Sequence, residues 1–201
     1  MFSVSSVVSN LKALRAIYGI RSPMTAASSR RSASPASLPF QAAAVIAGVV
    51  ALAAASRVSI PIGPVPITLQ TYALFVVAGL FGGRLALIAV LAWLASAAFG
   101  LPVLAGGAGG WKAVVGHAAG FLAGMAAAAY VCGQGAQKAK GWIALTALFA
   151  AGHVIVLAVG WAGLASFMSP GPAFESGILP FLPGAAIKSL AAALTVRLLS
   201  R

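Results

Sequence analysis

Six apolar stretches, each close to the length that crosses a lipid bilayer, dominate this 201-residue chain. A helix of about 20 apolar residues spans the hydrocarbon core. Helix is the expected state, because lipid offers the backbone no hydrogen-bond partners and the sequence lacks the alternating pattern of barrel strands. We therefore predict an all-α integral membrane protein, a bundle of six transmembrane helices at residues 40–56, 67–83, 85–104, 114–133, 142–164 and 178–199.

The composition excludes a water-soluble domain and argues against an enzyme. The chain is 61% hydrophobic and 7% charged, with mean hydropathy +1.04, which leaves too little polar surface for a soluble protein of this size. The single cysteine, Cys132, excludes an intramolecular disulfide and a cysteine-rich metal site. The two histidines, His117 and His153, belong to no metal-spaced motif, and the only acidic residue is Glu175. We expect no catalytic residues, metal or cofactor.

The basic residues indicate membrane topology. A net charge of +12 would suggest nucleic acid in a soluble protein, but these residues stand singly between apolar runs, so we expect no nucleic-acid partner. The positive-inside rule favours both termini inside. That orientation leaves Arg57 and Lys112 outside, Lys188 near the outer end of the last helix, and ten of the thirteen basic residues inside: Lys12, Arg15, Arg21, Arg30, Arg31, Arg84, Lys138, Lys140, Arg197 and Arg201.

Residues 1–39 differ in composition from the membrane domain predicted for residues 40–201. They are serine-rich, basic and free of acidic residues, which is typical of a disordered tail. Lys12 and Arg15 stand among apolar residues that recur near helical spacing, which also fits a transit peptide; these are Val4, Val7, Val8, Leu11, Leu14 and Tyr18. A basic cytoplasmic tail, or a start at Met24, are the alternatives. We expect a bacterial plasma membrane, or an organellar membrane if residues 1–39 are a transit peptide.

Lys188 is the leading candidate for a ligand-binding residue. It lies in the apolar run 178–199, which contains no acidic residue. A lysine at the centre of a membrane helix costs about 2.5 to 3.5 kcal/mol, so an intramembrane lysine indicates a functional site. An anionic or strongly polar ligand would compensate the positive charge of this side chain. The alternative is a lysine that extends to the membrane interface.

Residues 59–71, SIPIGPVPITLQT, precede the second predicted helix. Pro61, Pro64 and Pro66 prevent helix and hold the chain extended at the outer boundary. Thr68 and Gln70 follow them, and their side chains either bind a ligand or cap the helix.

Small residues line one face of the first predicted helix. Ala43, Ala47, Ala51 and Ala55 fall four apart, which allows another helix or a separate subunit to approach closely. Alanine is common in this chain, so chance repetition is the alternative.

Aromatic and histidine side chains supply further candidates. Trp111 and Trp93 are candidate apolar walls of a ligand pocket, or an interface anchor and a packing residue respectively. His117, beside the glycine-rich loop, is a candidate ligand contact. His153 is expected to pack inside the fifth helix with a hydrogen bond to a neighbour.

Three segments together resemble the BioY family of biotin transporters. They are VPITLQT at 65–71, GLPVLAGGAGG at 100–110 and FLPGAAIK at 181–188, in the family's order and spacing. The resemblance implies a six-helix S component of an energy-coupling factor transporter, which captures biotin in an outward-facing pocket. It also implies a transmembrane coupling subunit and ABC ATPases as partners. Lys188, Thr68 and Gln70 match its ligand-contacting positions, and the alanine face resembles its docking surface.

The chain departs from the family pattern at two places. The family usually carries an aspartate shortly before the lysine, where this chain has Ala185, and residues 116–121 read GHAAGF with His117 in place of a proline. Two alternatives therefore remain: an S component for another small organic nutrient, or a binding-defective structural membrane protein. A Glu175 folded back to Lys188 would favour biotin, whereas an exposed Glu175 would favour the alternatives.

Overall fold

The computed structural model describes residues 37–200, so most of the predicted tail at 1–39 lies outside the described residues. The described chain is mainly helical. Its helices are α1 (Leu38–Arg57), α2 (Gln70–Phe81), α3 (Gly83–Ala98), α4 (Trp111–Val115), α5 (Ala119–Ala136), α6 (Gly141–Leu164), α7 (Pro170–Gly177) and α8 (Leu182–Leu199). Two short strands, β1 (Ser59–Ile60) and β2 (Ile67–Thr68), and two 3₁₀ turns, Ala105–Gly107 and Leu179–Phe181, complete it.

Each of the six predicted segments overlaps one helix of at least twelve residues, namely α1, α2, α3, α5, α6 or α8. Three helical stretches are long and apolar enough to cross a membrane: Leu38–Arg57, Gly141–Leu164, and the joined stretch Pro170–Leu199. Helices α2 and α3 are shorter apolar helices. The chain is a multi-pass integral membrane protein, and the count of six transmembrane helices stays a prediction.

The segment before α2 forms a small hairpin, not helix. Strands β1 and β2 pair antiparallel, with Ser59 opposite Thr68 and Ile60 opposite Ile67. Pro61 and Pro66 lie in the connection just beyond the paired residues, where a missing N–H costs the ladder nothing. The predicted extended, non-helical segment is confirmed, and helix was wrong only at 67–69, because α2 begins at Gln70, three residues later than predicted.

The glycine-rich loop between α3 and α5 is longer than predicted. Helix α3 ends at Ala98 and α5 begins at Ala119, so helix was wrongly expected at 99–104 and 116–118, whereas 114–115 are helical as the end of α4. The loop contains the five-residue helix α4. Gly107 has φ +82°, a conformation that favours glycine, and a Cβ there would lie 3.0 Å from Nη1 of Arg57. Arg57 also donates from Nη2 to the carbonyl oxygen of Pro102 at 2.8 Å, which ties the end of α1 to this loop.

The core is packed by aromatic rings and by close contacts at glycines. Phe75 and Phe149 are fully buried and stack with ring centroids 5.1 Å apart. Gly133 of α5 lies so close to the start of α3 that a Cβ would overlap the backbone of Gly83, and would lie 2.7 Å from the carbonyl carbon of Gly82. Small residues permit such close approach of membrane helices. We call this the α3–α5 glycine contact.

Candidate ligand-binding site

A cavity of about 310 Å³ lies among the β2–α2 segment, the glycine-rich loop and helices α5, α6 and α8. Its walls are mostly apolar and come from Leu104, Phe121, Leu122, Met125, Val156, Leu157 and Phe181. The polar side chains in its lining are Thr68, Gln70, Thr71, Lys112, His117, His153 and Lys188. Small-molecule sites combine apolar walls with a few placed polar groups, and this volume is at the small end of their range.

Lys188 lies in the cavity lining, in the second turn of α8. It is only 9% exposed, and its Nζ donates to the carbonyl oxygen of Thr68 at 3.0 Å. An ammonium group has three donors, and within residues 37–200 this carbonyl is its hydrogen-bond partner. The charge is therefore met by a carbonyl dipole and not by a carboxylate, and two donors remain for a ligand.

Thr68 and Gln70 also line the cavity, and they are bonded to each other. The hydroxyl of Thr68 donates to Oε1 of Gln70 at 3.0 Å and accepts the Gln70 backbone N–H at 3.3 Å. Nε2 of Gln70 donates to Oγ of Ser56 at 2.7 Å, which connects α2 to α1. The two predicted roles are therefore compatible: Thr68 bonds the first turn of α2, and both side chains border the cavity.

The two remaining candidates differ in position. His117 lies in the lining, exposed, with its ring centroid 4.7 Å from that of Phe167. Trp111 is 66% exposed and lies outside the lining, although Lys112 and Ala113 belong to it. Successive helical residues point about 100° apart, so Trp111 does not share the face of α4 that borders the cavity. The structure thus places Trp111 outside this cavity lining, and its role as a pocket wall stays a prediction.

Trp93 also lies outside the cavity lining. It is fully buried in the bundle and donates from Nε1 to the carbonyl oxygen of Val103 at 3.0 Å. The aromatic walls are instead Phe121 and Phe181, whose rings stack at 5.7 Å.

His153 and Thr71 are site residues that the sequence reasoning missed. The predicted hydrogen bond of His153 is confirmed: Nδ1 lies 2.9 Å from Oγ of Ser189, and Nε2 lies 3.1 Å from Oγ1 of Thr71. Both His153 and Thr71 also line the cavity. An ionisable side chain inside an apolar helix was the available signal, since the same argument selected Lys188. Thr71 carried no comparable signal.

Glu175 lies apart from Lys188. It is exposed and lines a second, more open depression together with Ile62, Met168 and Ser176. Ala185, which stands where the family pattern has an acid, is 8% exposed. Among the described residues the cavity lining therefore contains no carboxylate.

The alanine face of α1 lies beside the face that packs into the bundle. Ala43 and Ala47 are exposed, whereas Ala51 and Ala55 are half-buried against the core. The packed face is the neighbouring stripe Ala44, Gly48, Leu52 and Ser56. A Cβ on Gly48 would lie 2.7 Å from Cβ of Ala89. The N-terminal half of the alanine face is thus exposed on the described bundle.

Comparison with known proteins shows the family. The family model described as the BioY family matches residues 27–201. The chain belongs to the BioY family. It is similar to the biotin transporter BioY of Thermotoga maritima, 36% identical over 68% of this chain and 82% of that protein, and to the biotin transporter BioY of Rhizobium etli, 36% identical over 74% and 85%. A probable biotin transporter BioY of Pyrococcus horikoshii is 31% identical over 68% and 82%.

A solved structure also matches this BioY family member. It is the crystal structure of the S-component for biotin from an ECF-type ABC transporter, with a TM-score of 0.70 and 29% identity over 82% of this chain and 95% of that one. The resemblance found from three sequence segments is confirmed. Family membership also agrees with the prediction of a transport protein in place of an enzyme.

Proposed function

We propose that this chain is the biotin-binding S component of a vitamin uptake transporter. The observation that supports this most directly is the cavity, in which the buried Lys188 has donors to spare and no carboxylate beside it. An anionic or strongly polar ligand lowers the free energy of such a site. The related proteins of the family are biotin transporters, and biotin carries both a carboxylate and a polar ureido ring.

The lining suits the parts of biotin. Its thioether ring and aliphatic chain fit the apolar walls around Phe121 and Leu157. Its ureido ring needs hydrogen-bond donors and acceptors, and its carboxylate needs a cation. We assign ligand contacts to Lys188, Thr68, Gln70 and His117 on this basis.

Direct binding of radiolabelled biotin to the purified protein tests the proposal. Saturable binding that unlabelled biotin displaces is expected. A protein that is folded by circular dichroism and elutes as a single peak in detergent, yet binds no biotin, would exclude the proposed ligand.

The energy for import comes from partner subunits in this proposal. The sequence contains no GxxxxGK[ST] phosphate-binding loop, so a coupling subunit and ABC ATPases would supply ATP-driven transport. The exposed part of the alanine face, Ala43 and Ala47, is the proposed docking surface.

The proposed orientation places the cavity outside a bacterial plasma membrane and both termini inside. A cysteine placed at the exposed Lys138 should react only after the membrane is opened, because that loop is on the inner side. The native Cys132 is buried, so its labelling background is low. Labelling at 138 in sealed cells by an impermeant reagent would reverse the orientation.

An S component for another small organic nutrient is the second candidate. Ala185 at the position of the family's acid, together with the exposed Glu175, favours it. Displacement of labelled biotin by other vitamins, each at the same concentration, distinguishes the two. Stronger displacement by another vitamin than by biotin would favour the second candidate.

A further inference from the structure

A buried histidine in the cavity lining joins three helices. His153 on α6 is 4% exposed, and its ring lies between Thr71 on α2 and Ser189 on α8. The same ring packs edge-on against Phe75, with centroids 4.8 Å apart. Side chains from helices far apart in sequence thus hold the imidazole in one orientation.

The hydrogen bonds around this ring have a fixed direction. Nδ1 lies 3.1 Å from the carbonyl oxygen of Phe149, and a carbonyl oxygen only accepts. Nδ1 therefore carries the proton of the neutral imidazole, and it also points at Oγ of Ser189. Ser189 donates its own hydroxyl hydrogen to the carbonyl oxygen of Ala185 at 2.8 Å, so it accepts from the ring.

The other ring nitrogen determines what Thr71 offers to the cavity. With the proton on Nδ1, Nε2 has only a lone pair, so the hydroxyl of Thr71 must donate to it across 3.1 Å. A threonine hydroxyl has one donor, and that donor is used. Since Thr71 lines the cavity, its remaining hydrogen-bonding capacity toward a ligand is as an acceptor.

The structure assigns to Thr71 the recognition of a ligand N–H, and to His153 the role of the positioning residue that fixes the threonine as an acceptor. This rests on the proposed function, because biotin is the ligand considered. Its ureido ring carries N–H donors beside a carbonyl acceptor.

The other polar groups of the cavity lining support this role of Thr71. No carboxylate of the described chain borders the cavity, so a ligand N–H must meet a neutral oxygen. The hydroxyl oxygen of Thr68 and Oε1 of Gln70 each already accept one hydrogen bond and keep one lone pair, whereas the oxygen of Thr71 accepts none within residues 37–200. Lys188 offers only donors. Thr71 and Lys188 together therefore match a group in which N–H and C=O are adjacent.

Binding measurements on two variants test the role of Thr71. Thr71→Val keeps the shape and removes the hydroxyl, and should weaken biotin binding about tenfold. Thr71→Ser keeps the hydroxyl and should retain most of the affinity. Biotin methylated at the ureido nitrogen that Thr71 contacts should bind the parent and Thr71→Val equally, because the N–H is already lost.

Two outcomes would overturn the assignment to Thr71. The first is that Thr71→Val binds biotin with the same affinity as the parent. The second is that Thr71→Val loses affinity by the same factor for biotin and for both analogues, each methylated at one of the two ureido nitrogens. If the parent itself binds no biotin, the proposed function fails first, and the histidine measurement below still stands.

Nitrogen-15 NMR of the histidine-labelled parent tests the role of His153 without any ligand. The chain has two histidines, and a His117→Gln sample identifies the signals of His153. We expect a protonated Nδ1 and an unprotonated Nε2. The Nε2 signal should move in Thr71→Val, where its donor is lost, and stay in place in Thr71→Ser. A proton on Nε2 in the parent would overturn the inference even if Thr71→Val does not fold.

Discussion

The α3–α5 glycine contact and the cavity lie at opposite ends of α5 and are built in opposite ways. At the contact, Gly133 meets the backbone of Gly83 with no space for one added carbon. At the other end, about 12 Å away by helix rise from Gly133 to Met125, the same helix borders a volume of about 310 Å³. The contact has close backbone packing in place of side chains, whereas the cavity has kept room and polar groups, although the cavity end of α5 also packs closely against α6 at Gly120 and Gly124. We therefore expect substitutions at the two ends to affect folding and binding separately.

The largest effect should follow from filling the glycine contact. Gly133→Leu forces a side chain into the backbone of α3, and a backbone cannot move aside as a flexible side chain would. The substitution should therefore lower the free energy of unfolding by about 4 kcal/mol or more. The folded protein should be lost, as measured by thermal unfolding and elution in detergent.

Gly171→Ala is the matched control for Gly133→Leu. A Cβ at Gly171 meets nothing within 4 Å, and the residue is helical, so stability should be unchanged or slightly higher. A folded Gly133→Leu protein would mean that α3 and α5 can separate without disrupting the bundle.

The next effect concerns the cavity. Lys188→Ala removes the cation without filling any space, and should weaken biotin binding more than tenfold, since truncating one partner of a desolvated charge contact costs about 2 to 5 kcal/mol. Folding should survive, because a buried charge disfavours insertion. Lys140→Ala, at an exposed position, controls for the loss of one positive charge. Unchanged affinity in Lys188→Ala would remove this lysine from the site.

A third test extends the comparison to the two stripes of α1. Ala47→Trp, on the exposed stripe, should lower uptake in cells by about fivefold or more while biotin binding persists, because it obstructs only the proposed docking surface. Gly48→Trp, one residue away, should instead impair folding, since its side chain would meet Ala89 and Val77. Equal loss of binding and uptake in Ala47→Trp would show that this face serves the bundle.

The smallest effect is expected at the cavity mouth. Lys112 lines the cavity but is exposed, so its attraction for a carboxylate is weakened by water and salt. Lys112→Ala should weaken biotin binding by about fivefold at most, mainly through a slower association rate, and the difference should shrink as salt is added. A loss as large as that of Lys188→Ala would make Lys112 a buried partner of the ligand.

The sequence predicted the parts of the molecule that depend on long patterns. Apolar length located the six helices of at least twelve residues in the described chain, and the position of Lys188 inside an apolar run identified a residue that lines the cavity. The hairpin of β1 and β2 was missed because two-residue strands have no periodicity, and the prolines predicted an extended chain without showing that it pairs with itself.

The site was predicted only in part, because membership in a cavity depends on which face of a helix turns inward. Trp111 and Ala113 are two residues apart, and only Ala113 borders the cavity. Thr71 gained its role from a histidine 82 residues away, a distance that no local spacing reveals. The same limit applied to α1, where two neighbouring stripes share one spacing and only the stripe of Ala44, Gly48, Leu52 and Ser56 is buried along its whole length.

The hydrogen bond from Lys188 to Thr68 also has a consequence for biosynthesis. It joins residues 120 positions apart, and the later of the two lies on α8. Chains are made from the N-terminus at about 5 to 20 residues per second, so this contact can close only after α8 has been made. Helices α1 to α6 are thus synthesised before the site is complete. Nascent chains that end before Leu182 lack Lys188, so we expect biotin to stabilise only chains that include α8.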